Sequence, residues 1–129
     1  MKLLIAYDKD TSFSNVLSRG IQRAKVSDGY VYLVRTCEPG IKEDELLDIE
    51  RQMKEICQEV FEAQKIKSEF HILIRGKTPG EDIVNFAKKK NIDEIIIGIK
   101  KRSKVGKLIF GSNAQYIILE AHCPVLCVK

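Results

Sequence analysis

Residues 95–117, IIIGIKKRSKVGKLIFGSNAQYI, decide how the chain is read. An apolar run ends at Gly98, five of the next nine residues are Lys or Arg, and Gly111-Ser112 then opens a helical pattern. This is a buried strand, a basic loop and a helix in succession. A glycine at position 98 lets the chain leave the strand without side-chain obstruction. At Gly111-Ser112 the first helical amides lack an intrahelical partner, and the helix dipole favours an anion. Ser112 can add a hydroxyl donor or cap the helix, and the two roles are compatible. Lysines between the glycines add charge for a phosphate. The frame reads either as a phosphate cradle or as an exposed loop that happens to be basic.

The same alternation extends in both directions. Residues 2–7 (KLLIAY), 30–36 (YVYLVRT), 69–75 (EFHILIR), 94–99 (EIIIGI) and 125–128 (VLCV) read as strands, and the near-continuous apolar runs fit strands buried on both faces. Helical patterns fill the intervals. Phe13, Val16, Leu17, Ile21 and Ala24 form a stripe over 12–26, which Ser27-Asp28-Gly29 ends. Residues 42–65 make one long polar helix, and its short heptad-like stripe fits sheet coverage better than a coiled coil. Pro79 starts a third helix, at the first-turn position proline favours, and that helix runs to about Lys90. A last helix covers 113–122. Five strands alternating with four helices predict a three-layer α/β/α fold around a parallel sheet with right-handed crossovers. Ligands of such sheets bind beyond the carboxyl ends of the strands, where strand order reverses. That rule points to Tyr7-Asp8-Lys9-Asp10, to Arg35-Thr36-Cys37, and to the loop after Gly98.

The length of 129 residues fits one domain spanning 1–129, and the composition, 44% hydrophobic and 31% charged, is that of a globular protein. A net charge of +4 is too mild to imply nucleic acid. Charge is nonetheless segregated: 38–62 is acid-rich and reads as a solvated face, whereas 100–107 carries five cations. No secretory leader or membrane span is expected. Cys37, Cys57, Cys123 and Cys127 show no metal spacing and read as reduced, buried thiols of a cytoplasmic protein.

Catalytic patterns are poor. Gly76-Lys77-Thr78 ends like a phosphate-binding P-loop, but the first glycine of that motif would have to be His71, inside a strand, so a strand-to-helix turn is expected. His71 and His122 have no carboxylate or nucleophile at a recognisable spacing, and no G-x-S-x-G elbow is present. Asp8 and Asp10 could share a Mg²⁺, yet Asp10 is well placed to cap the helix beginning near Ser12. No enzyme is predicted.

Five alternating strands, an aspartate ending the first, G-x12-G-S after the fourth and the closing HCPVLCVK together resemble the universal stress protein family over the whole chain. The resemblance implies a Rossmann-like sheet of the adenine nucleotide alpha hydrolase-like type, with strand order 3-2-1-4-5. It implies ATP, or another adenine nucleotide, at the carboxyl edge, with Mg²⁺ only alongside nucleotide. Asp8 and Thr36 would border adenine with Ala6 and Tyr7, while Ile97 and Gly98 line the floor. Lys100, Lys101, Gly111, Ser112, Asn113 and Ala114 would surround ribose and phosphates. In nucleotide-binding members the loop reads G-x2-G-x9-G-[ST], and Lys101 departs from its second glycine. A lysine at positive φ costs roughly 1 kcal/mol or more, while its ammonium beside a phosphate gains roughly 1.5–3 kcal/mol. Two further departures are Tyr7, able either to stack on adenine or to block it, and Asp10, whose charge repels phosphate. A nucleotide-free interaction module of the same fold is the alternative. The resemblance also implies a homodimer through strand 125–128, whose edge would invite a partner. Nucleic acid is disfavoured, because no aromatics interleave the loop cations.

Overall fold

The computed structural model describes residues 1–8, 13–74, 76–99 and 110–129. Five strands, β1 (Lys2–Ala6), β2 (Tyr30–Cys37), β3 (Ser68–Ile74), β4 (Glu94–Gly98) and β5 (Val125–Val128), form one sheet in the order β3-β2-β1-β4-β5. All four pairings are parallel, with Leu3 opposite Val31 and Glu94, and Ile97 opposite Cys127. Order reverses between β1 and β4, the switch point at which an open α/β sheet leaves a crevice.

Four helices cover the sheet: α1 (Phe13–Ser27), α2 (Glu43–Glu55), α3 (Pro79–Lys89) and α4 (Ser112–Glu120). The sheet separates two cores. Leu3, Ile5, Val31, Leu33 and Ile96 pack against Val16 and Ala24 of α1 and Ile49 and Met53 of α2. Leu4, Val34, Ile95 and Ile97 pack against Ile83, Val84 and Ala87 of α3 and Ile117 of α4. Gly20 lets α1 lie close to the sheet, since a Cβ there would stand 2.2 Å from Ile5 Cδ1.

The long helix expected over 42–65 is interrupted. After α2 the chain widens into a π-helical stretch, Ile56–Phe61, and closes in a 3₁₀ turn, Glu62–Gln64. A π turn holds more residues per turn than an α turn. The core stripe that runs through Ile49 and Met53 therefore slips by one residue, burying Phe61 completely and leaving Val60 only half-buried. Left-handed residues follow the helical segments at Asp28, Lys65 and Asn91. The break expected at Ser27-Asp28-Gly29 thus turns on Asp28. Thr78 caps α3, its Oγ1 accepting from Glu81 N at 3.3 Å with Pro79 as the first helical residue, so Gly76-Lys77-Thr78 is a strand-to-helix turn.

The cap of α4 is Gly111, and Ser112 is the first helical residue, so capping is not the role of Ser112. The proposed cap at Asp10 and the loop cations Lys100, Lys101, Arg102, Lys104 and Lys107 lie outside the described residues. Among the described residues no helix is long and apolar enough to cross a membrane.

Candidate functional site

The carboxyl edge of the sheet holds a cavity of about 640 Å³. Ala6, Tyr7 and Asp8 enter it from β1, Thr36 from β2, and Ile97 and Gly98 from β4. Gly111, Ser112, Asn113 and Ala114, at the start of α4, form the opposite wall. Ten of the twelve site residues named from the sequence therefore share one hollow, and the other two, Lys100 and Lys101, lie outside the described residues. Parallel strands cause this convergence. Every strand ends, and every following helix begins, at the same edge.

Side-chain alternation settles where Tyr7 points. Its amide donates to Val34 O at 2.8 Å, continuing the β1–β2 ladder one step beyond Ala6. Tyr7 thus shares a face with Leu3 and Ile5, the α1/α2 side, and its ring packs on Phe13 with centroids 4.3 Å apart. The Arg35 guanidinium lies over the same ring, 5.0 Å from its centroid. Tyr7 is consequently part of a wall, and the cavity stays open beside it.

The far wall depends on two helix starts held together. Asn113 Oδ1 accepts from Gly80 N at 3.0 Å, satisfying an amide that α3 cannot satisfy internally. The helices are close enough that a Cβ on Gly80 would stand 3.1 Å from the Asn113 carbonyl oxygen and 3.2 Å from Tyr116 Cβ. Gln115 N bonds Gly111 O at 3.0 Å, the first turn of α4. The amides before it have no intrahelical acceptor, which gives this wall positive partial charge.

Sequence reading missed part of the lining. Glu38, Pro39, Gly40 and Ile41 of the turn after β2, with Glu45 and Ile49 of α2, line the cavity on the α2 side, and Pro79 and Ile83 of α3 line it on the other. The Pro39-Gly40 pair was a visible turn signal, and Gly40 does adopt φ +84°, where a side chain would be strained. The strand-end rule stopped at Cys37 and so ended too early.

Several other polar groups have structural partners. Glu69 accepts from Tyr30 Oη at 2.9 Å and pairs with His71 Nε2, whose ring packs against Tyr32 and Phe86. Burial alone would push the Glu69 carboxyl up, but the His71 and Tyr30 hydrogen bonds and the nearby Lys90 charge outweigh it and hold it below the ordinary value. His122 Nε2 bonds the Ile92 carbonyl at 2.9 Å. Glu94, 8% exposed, receives two bonds from Arg23, at 2.9 and 2.7 Å. All four cysteines are free, but only Cys37, on the cavity wall, is buried. Cys57, Cys123 and Cys127 are half-buried, and burial pushes their thiols up. Among the described residues no His, Cys, Asp and Glu set could hold a metal.

The model of one protein family, described as the universal stress protein family, matches residues 1–129. The chain belongs to the universal stress protein family. A universal stress protein of Methanocaldococcus jannaschii is 30% identical over 99% of this chain and 81% of its own length. Among solved structures, a universal stress protein from Archaeoglobus fulgidus superposes with a TM-score of 0.85 at 35% identity, covering 100% of this chain and 98% of that one. Another from the same organism, in complex with dAMP, has a TM-score of 0.79 at 29% identity over the same shares. The two Archaeoglobus structures share the fold described above.

Proposed function

We propose that this universal stress protein is a stress-response module that binds ATP or another adenine nucleotide in the cavity at the carboxyl edge. One observation carries the reading: the end of β4 and the start of α4, separated by the basic loop, line the same hollow as Asp8 and Thr36. The dAMP complex of the Archaeoglobus relative supports it. The phosphate end would lie on the amides of Ser112, Asn113 and Ala114, with Lys100 and Lys101 supplying charge, and Mg²⁺ would enter only with nucleotide. The base end would lie toward Asp8 and Thr36. The protein works by occupancy rather than turnover, in the cytoplasm. It pairs as a homodimer along β5, an edge strand flanked by a helix that exposes Tyr116, Ile118 and Leu119.

Denaturing the purified protein and chromatographing the supernatant tests the reading, together with a thermal-shift titration in ATP. Released or added nucleotide that raises the melting temperature is the expected result. An empty supernatant with no shift at millimolar ATP overturns it.

A specific feature favours the alternative of a nucleotide-free module. Asp8, Glu38 and Glu45 all line the cavity, and their carboxylates oppose a polyphosphate. If that reading is right, Lys101→Gly creates or strengthens ATP affinity. If the substitution weakens an existing affinity, lysine is a ligand and the alternative falls.

A further inference from the structure

We infer that the base of the bound nucleotide stacks on the Arg35 guanidinium, an inference that rests on the nucleotide reading above. That guanidinium lies over the Tyr7 ring, 5.0 Å from its centroid. It lines the same cavity as Asp8, Glu38 and Glu45. A planar cation supported from one side by an aromatic ring is a ready surface for a second π system. Tyr7 is itself braced by Phe13, so the stack is held from β1 and α1 at once.

The surroundings favour a base over a phosphate here. Pro39, Ile41 and Ile49 make this lobe apolar, and the carboxylates around it repel anions. The anion-favouring wall at α4 follows β4, and β1 stands between β4 and β2. Two strand spacings, about 10 Å, therefore separate the end of β2 from the end of β4. That is the kind of span a ribose bridges between a base and its 5′-phosphate. Stacking is tolerant of base identity but grows with ring area, so the lobe would prefer purines to pyrimidines.

The test is calorimetric titration of AMP and UMP into the full chain, into Arg35→Lys and into Arg35→Gln, with the melting temperature of each variant measured alongside. Lysine keeps the charge and loses the plane. The expected result is that both variants bind AMP roughly tenfold more weakly than the parent, and that the preference for AMP over UMP narrows in both. Full AMP affinity in Arg35→Lys with loss in Arg35→Gln means a charge contact to phosphate and overturns the inference. Unchanged AMP affinity or unchanged base preference in both variants overturns it as well and leaves the nucleotide reading intact. Failure of the parent protein to bind AMP overturns this inference, and failure to bind ATP as well overturns the nucleotide reading with it.

Discussion

The side-chain oxygen of Asn113 accepts a 3.0 Å hydrogen bond from the amide of Gly80, fastening the first turn of α4 to that of α3. Asn113 is therefore a structural member of the cavity wall before it is a candidate ligand contact. Replacing it with alanine removes the acceptor and leaves a part-buried amide unpaired, at a cost of about 1 kcal/mol. Chemical denaturation checks this. A loss of ligand affinity with unchanged stability would contradict the structural role.

Gly80 is the other half of that junction. A Cβ there meets backbone atoms of Asn113, which cannot swing aside as a side-chain tip can. Gly80→Val is expected to push the two helix starts apart and destabilise the fold by about 2 kcal/mol through overpacking. Thermal melting reads the stability, and an increase in midpoint would contradict the close packing of the junction.

At the opposite edge of the sheet, Arg23 forks onto Glu94. The carboxylate is nearly inaccessible while the guanidinium is partly solvated. Removing the arginine strands a buried charge, whereas removing both charges does not. Arg23→Ala should therefore lower the denaturation midpoint, and adding Glu94→Gln to that variant should recover part of the loss. If the double variant is no more stable than the single one, the pair is not the source of the effect.

The Glu69 carboxyl lies below its ordinary value, after the upward push of burial is outweighed by hydrogen bonds from His71 and Tyr30. A group depressed in the folded state adds stability that is complete above its unfolded pKa. That stability is lost as pH falls through the lower, folded value. Wild-type protein should therefore lose stability on acidification below the ordinary carboxylate range more steeply than Glu69→Gln. Denaturant titrations at stepped acid pH read the difference. Parallel acid limbs would remove Glu69 from the account.

Cys57, Cys123 and Cys127 have thiols pushed up by burial, and the thiolate is the reactive form. Alkylation of the native protein at neutral pH should be slower than that of the unfolded chain, and should accelerate as pH rises. Mass spectrometry of timed samples gives the rates. A burst of labelling at any of the three in native protein would contradict the burial seen here.

The strands were legible because parallel strands covered on both faces leave long apolar runs, as at 94–97 and 3–6, whereas their order came from the family resemblance. The edge that carries the cavity followed from topology alone. What could not be read depends on contacts between distant residues. The direction of the Tyr7 ring needed the pairing with β2 and the presence of Arg35 opposite it. The bond between Asn113 and Gly80 joins residues 33 apart and exists only because two helices start side by side. The slip at Ile56–Phe61 leaves no periodic trace, since Val60 and Phe61 are both apolar and only packing decides which one turns inward. The cap of α4 was misplaced by one residue because Gly and Ser are both acceptable caps.

Val128 lies opposite Gly98 in the β4–β5 ladder, and the Lys129 carbonyl accepts from Asn15 Nδ2 at 3.3 Å. Any polypeptide fused after Lys129 therefore emerges at the carboxyl edge of the sheet, the same edge that carries the cavity. A fusion before Met1 projects from the opposite rim, some five strand residues away. Affinity tags and fluorescent reporters for occupancy measurements on this protein belong at the amino terminus.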